Sequence, residues 1–207
     1  MKQRKTEPSR RKLFGPRDDW HHNACVNYQH DSLHAYTRGY LTGAKALVDQ
    51  VRKDRSKLDT MIFAIVFLYR HYIELKLKFI IREGNQLLDR PAVDLLRYGH
   101  KIGKLWSDSR RIIEAVFEDE DRAPLDRVTE IIEEFERDDP YATGFKYPED
   151  TKRNRSLSEL RHINVAQFSE AMDEVEALIE GAAEGVAYYL DMKRDSESEF
   201  REDHQSW

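Results

Sequence analysis

Residues 67–78, FLYRHYIELKLK, drive charge into what is otherwise the most hydrophobic helical stretch of the chain, and this constrains the fold more than any other feature. At 3.6 residues per turn Arg70 and Glu74 lie one above the other, on the stripe that also carries Phe63, Phe67, Leu77 and Ile81. A lone buried ion is strongly unfavourable, so the two are expected to enter the core as a pair, with further hydrogen-bonding groups brought in from other helices. The expected product is a polar knot inside an apolar bundle.

Composition sets the frame for that bundle. A chain of 207 residues suits one good-sized domain with tails and is long enough to bury a core. Hydrophobic residues at 40%, charged residues at 35% and only nine Gly and six Pro favour a helical protein with strongly solvated outer faces. A net charge of -5 argues against coating nucleic acid through bulk charge, which leaves a local basic surface as the route to such a partner. The single cysteine, Cys25, has no internal disulfide partner, and the basic opening residues lack an apolar run behind them, so a reducing cytoplasm is the expected setting. The longest apolar run, residues 61–69, is about half of the roughly 20 residues needed to span a bilayer, and no membrane segment is expected.

The periodicities predict five main helices. Residues 1–19 read as a basic flexible extension, 20–192 as the folded domain and 193–207 as a charged tail. A first helix is expected over 26–53, with Gly39, Gly43, Ala44 and Ala46 admitting a close neighbour. A central helix is expected over 59–83, closed by Gly84 as a left-handed cap. Pro91 is placed to start a short helix through Leu96, another helix covers 100–117, and Pro124 opens a fourth whose stripe is Leu125, Val128, Ile131, Ile132 and Phe135. The last helix carries Phe168, Met172, Val175, Ile179, Ala182, Val186 and Tyr189 on one face. Asn164 and Gln167 form a capping box at its start. Between the last two helices, Phe145-Lys146-Tyr147-Pro148 and Ser156-Leu157-Ser158-Glu159-Leu160 flank a polar turn and predict a small edge β-hairpin. The fold class is all-α: an antiparallel bundle of about five helices with that hairpin inserted before the last one.

This order of parts resembles the HEPN domains of bacteria and archaea. The likeness is carried by a first helix with Gly39-Tyr40, the Tyr69-Arg70-His71-Tyr72-Ile73-Glu74-Leu75 helix, the Gly99-His100-Lys101-Ile102-Gly103-Lys104-Leu105-Trp106 helix start, the Phe145-Lys146-Tyr147-Pro148 segment and a long last helix. It is nearer to an uncharacterised HEPN-like group and covers roughly residues 20–192. The resemblance implies a helical bundle, commonly a homodimer. It also implies action on RNA as a metal-independent ribonuclease of defence or stress systems, or a role as an inactive binding partner, with no cofactor and no metal. Active members of that superfamily carry an arginine followed four to six residues later by a histidine, and Arg155-x6-His162 meets the count. Arginine there would stabilise charge on the phosphate and histidine would move the proton of the ribose 2'-hydroxyl. The local pattern works against the pair. Arg155 falls in the hairpin turn and His162 two residues before the Asn164 cap, and on an extended strand seven residues place them on opposite faces.

The other constellation is Arg70, His71, Glu74 and His100, with Lys78 on its flank. His71 is turned about 100° from Arg70 and can meet a different neighbour, across a dimer interface included. A polar cluster in an apolar cleft is where acid–base chemistry belongs. The blander account is an ion pair that fixes helix register, with the protein serving as a dimeric interaction module or as the neutralising partner of a protein encoded nearby. Elsewhere, Cys25, His30 and His34 have C-x4-H-x3-H spacing without a convincing fourth ligand, so surface histidines are the better account. No Gly-rich phosphate loop, Gly-x-Ser-x-Gly elbow or Cys/His dyad is present.

Overall fold

The computed structural model describes residues 13–26 and 32–205, and by backbone contacts the chain divides into two units, Met1–Ser32 and Leu33–Trp207. In the first unit a 3-10 turn at Trp20–His22 is bracketed by Asn23, whose side chain accepts from Arg17 N–H at 3.0 Å and donates to Arg17 C=O at 2.8 Å.

The second unit is all-α. Its helices are α1 (Ser32–Lys53), α2 (Leu58–Leu87), α3 (Ile102–Val116), α4 (Ala123–Asp138) and α5 (Val165–Gln205). α2 is the hub, packing along α5 on one side and α3 on another, while α4 closes the layer against α3 and α5. Ile65, Ile73, Leu77 and Ile80 of α2 meet Ile102, Leu105 and Ile112 of α3 and Val175, Ile179 and Val186 of α5 in one continuous core. Each of these side chains is nearly or wholly removed from water, which stabilises by about 1.5–3 kcal/mol apiece. Asn164 caps α5 as expected, its side-chain oxygen accepting the N–H groups of Ala166 and Gln167 at 3.0 and 3.1 Å. Among the described residues no helix is long and apolar enough to cross a membrane.

Four local expectations are corrected. Gly84 does not cap α2; it is buried inside it, where a Cβ would come within 2.2 Å of the Ile112 side chain. The glycine is there for the close approach of α3, and the left-handed residue past the helix end is Asp89, at φ 51°. Pro91 starts no helix; the chain stays irregular until a 3-10 turn at Leu95–Tyr98, opened by the Asp94 side chain. α5 does not stop near Met192 but continues to Gln205 as an exposed charged helix.

The β-hairpin is also absent. Only the Glu149↔Arg155 bridge forms, because the segment spends its backbone groups on turns: Asp139 accepts from Thr143 and Gly144 N–H, and Asp150 accepts from Lys152 and Asn154 N–H. Arg153 and Leu157 both sit at positive φ, which ends any extended run.

Candidate functional site

Arg70 and Glu74 are buried, with 3% and 2% of their surface exposed. They are not each other's main partners, since their nearest approach is 4.0 Å. The Glu74 carboxylate accepts from Lys78 Nζ at 2.7 Å, one turn further along α2, and meets His100 Nδ1 at 3.0 Å. Arg70 donates to the backbone carbonyls of His100 and Asp139 at 3.1 and 3.3 Å, and its Nε, buried, has no hydrogen-bond partner. One guanidinium thus ties α2 to the start of α3 and to the end of α4.

Backbone geometry brings His100 in. Gly99, at φ 55°, turns the chain after the 3-10 turn, and Ile102, wholly buried, anchors the first residues of α3. The imidazole thereby reaches back over α2 while its side chain stays 56% exposed. With Nδ1 on the carboxylate, Nε2 is the nitrogen left for a substrate.

His71 has different surroundings, as its rotation from Arg70 requires. It is half-buried, edge-on to Tyr40 at 4.5 Å and stacked on Phe67 at 5.9 Å. Burial pulls its pKa below the ordinary histidine value despite the nearby Glu74 carboxylate, so the ring is neutral at pH 7. For Glu74 burial works the other way, but the hydrogen bonds from Lys78 and His100 outweigh it and hold the carboxyl below the usual range. Arg70 is lowered by burial against the pull of Asp139 and Glu74, and a guanidinium remains charged there.

Arg70, His71, Glu74 and His100 line one small cleft of about 50 Å³, together with Asp139 and Lys146. The cluster singled out in the sequence is therefore one place in space. The sequence reading missed Asp139 and Lys146. Asp139 ends α4 and is 4% exposed, its carboxylate holding the 143–144 turn while its carbonyl receives Arg70. Lys146 lies over the Phe67 and Tyr147 rings at 5.6 and 5.8 Å. The Asp138-Asp139-Pro140 break after the α4 stripe was the available signal for the first. For the second, the Phe145-Lys146-Tyr147-Pro148 segment reads in the sequence as part of a hairpin and not as part of this cluster.

The apolar stripe predicted around Arg70 holds only toward the C-terminal half of α2. Leu77 and Ile81 are core, whereas Phe63 is 47% exposed and Phe67 half-buried.

Arg155 and His162 are exposed and outside any helix. They do not point to opposite faces, because the strand that would have separated them does not form; both line a groove of about 410 Å³ beside Phe63. Cys25 is exposed, His30 lies outside the described residues, and among the described residues no three His, Cys, Asp or Glu side chains are grouped to hold a metal ion.

Comparison with known proteins adds no assignment: no family model, curated protein or solved structure matches this chain.

Proposed function

We propose that this is a HEPN-like protein of a bacterial or archaeal cytoplasm that cleaves RNA by acid–base catalysis in the Glu74–His100–His71 cleft. The observation that carries the reading is His100 Nδ1 at 3.0 Å from a carboxylate that is 2% exposed, with a second, half-buried histidine lining the same cleft. Transesterification at a ribose 2'-hydroxyl calls for a base and an acid, and two imidazoles can supply them. His71, neutral through burial, takes the 2'-hydroxyl proton as the oxygen attacks phosphorus. His100 delivers a proton from Nε2 to the departing 5'-oxygen, while Glu74 fixes its tautomer and orientation. Arg70 and Lys146, which line the cleft, supply positive charge for the phosphorane. The products are a 2',3'-cyclic phosphate and a free 5'-hydroxyl, and no redox partner or added group enters the balance.

The test is incubation of the purified chain with mixed RNA in EDTA. Cleavage leaving cyclic phosphate ends is expected, with His71→Ala and His100→Ala each slowing it by about 10²-fold or more. An intact RNA pool after incubation with the parent protein overturns the reading.

A second reading has its own support. Tyr188 and Met192 of α5 stay 62% and 52% exposed, as a helix awaiting a partner would leave them. In that reading the chain is a homodimeric module, or binds a protein encoded nearby, and the Arg70 network is architecture. It predicts mass that rises with concentration and no cleavage.

A further inference from the structure

The acid–base cleft, at about 50 Å³, has room for a phosphodiester group and little else. Any nucleotide flanking the reacting bond must lie outside it. Phe145 lines that cleft and also the groove of about 410 Å³ between the first half of α2 and residues 144–163, so the two spaces share a wall. The groove falls within the roughly 300–1,000 Å³ range of small-molecule sites.

Its lining is chemically uneven. Phe63 leaves 47% of its surface open on one wall. Arg155, Arg161 and His162 come from the opposite segment, and Asp59 is the single carboxylate. Arg155 and Arg161 have no carboxylate partner among the described residues, unlike Arg110, Arg127 and Arg194, which are all engaged. The groove is walled by turns held open at cost: Leu157, a branched residue, sits at φ 53° and packs where a Cβ on Gly144 would come within 2.7 Å of it.

We infer that this groove binds one unpaired nucleotide of a single-stranded RNA, its base stacked on Phe63 and its phosphate held by Arg155 and Arg161. The inference rests on the RNA reading above. A flat apolar face opposite two guanidiniums without carboxylate partners matches a base joined to a phosphate, and stacking on Phe63 requires a base that is not paired. Asp59 supplies an acceptor for base N–H groups.

The probe is a fluorescein-labelled 2'-O-methyl RNA hexamer, which lacks the 2'-hydroxyl needed for cleavage, titrated with the full chain and followed by anisotropy. Phe63→Ala and the double variant Arg155→Ala/Arg161→Ala are each expected to weaken binding by about tenfold, and Arg111→Ala, 72% exposed on α3, to leave it unchanged. All the substituted side chains are exposed, so melting temperatures should stay at the parent value. A duplex of the same sequence should bind at least tenfold more weakly. The inference is overturned by absent saturable binding, by groove variants that bind like the parent, by equal affinity for the duplex, or by a poly-glutamate peptide competing as well as unlabelled RNA. With cleavable RNA the groove variants should raise KM and leave kcat in place. Binding that depends on the groove, without cleavage, removes the acid–base reading and keeps the groove; cleavage with unmoved KM does the reverse.

Discussion

His100 Nδ1 lies 3.0 Å from Oε2 of Glu74, a contact that joins a mostly solvated imidazole to a carboxylate sealed inside the bundle. The carboxylate has Lys78 on its other oxygen at 2.7 Å, so Glu74 is a junction of two hydrogen bonds as well as a charge. Removing it leaves Lys78, whose side chain is 17% exposed, with the Gly99 carbonyl at 3.4 Å and no counter-charge there, and leaves Arg70 without one of its two flanking anions.

Glu74→Gln should therefore cost about 2–4 kcal/mol of stability, since the amide keeps the shape but cannot neutralise two neighbouring cations. Urea denaturation at pH 7.5 measures it. A midpoint equal to that of the parent would mean that the carboxylate itself is hydrated in solution.

The same cluster fixes a pH dependence with a definite sign. The folded pKa of His71 is depressed by burial, so the unfolded chain takes up this proton first on acidification. Its contribution is complete above about pH 6.5 and is lost progressively below it, as pH falls toward the folded value. Glu74, also depressed, adds a second loss below about pH 4.3. Unfolding midpoints at pH 7.5, 6.5, 5.5 and 4 should fall in two stages, and His71→Phe should abolish the upper stage alone. A parent curve flat from 7.5 to 5.5 would contradict the burial of that ring.

Much of this was readable from spacing. The α4 stripe, the α5 stripe as far as Val186 and the Asn164 cap obey local rules that tertiary contacts did not override, whereas Tyr189, placed on the same face by spacing, is 44% exposed. The grouping of Arg70, His71, Glu74 and His100 was legible too, because charge inside an apolar helix must be answered from outside it. The features that escaped depend on distant groups. Gly84 looked like a stop signal because the need for a bare backbone comes from Ile112, 28 residues away in sequence. The hairpin looked sound because alternation cannot reveal that Asp139 and Asp150 will claim the N–H groups of the turns.

Gly84→Ala tests that close approach. Helix propensity alone favours alanine by about 1 kcal/mol, yet the added carbon would sit 2.2 Å from Ile112 Cγ2, and Ile112 is itself only 2% exposed. Overpacking should win, for a net loss of about 1–3 kcal/mol, and in an Ile112→Ala background, which lacks Cγ2, the same Gly84→Ala change should cost less. A more stable single variant would show that α2 and α3 leave room for a methyl group between them.

A second polar cluster joins α2 to α5. Glu180 accepts from Tyr72 Oη and from Lys76 Nζ, both at 2.7 Å, and the two donors belong to side chains with 1% and 7% of their surface exposed. Burial and this carboxylate together push the Tyr72 hydroxyl far up, so it stays a donor at every pH the fold survives. Glu180→Ala should cost about 2–4 kcal/mol, because it leaves a buried hydroxyl and a buried ammonium without acceptors. Lys76→Met removes a charge while keeping the length of the side chain, and Tyr72 retains its bond, so its cost should stay below about 1 kcal/mol. Equal losses in the two variants would place the energy in the ion pair and not in the stranded donors.

Tyr69 offers the opposite sign. Its ring is 1% exposed and stacks edge-on to Phe168 at 5.8 Å, while its hydroxyl is buried without a hydrogen-bond partner and burial raises its pKa to about 12. The folded state carries the desolvation of that oxygen without a well-formed hydrogen bond in return. Tyr69→Phe keeps the ring and the stack and deletes only the oxygen, so stability should rise by about 1 kcal/mol or hold level. Thermal and urea unfolding of the variant decide the matter, and a loss above about 1 kcal/mol would mean that the hydroxyl has found an acceptor in solution, with Ser169 and Glu176 of α5 as the groups within its surroundings.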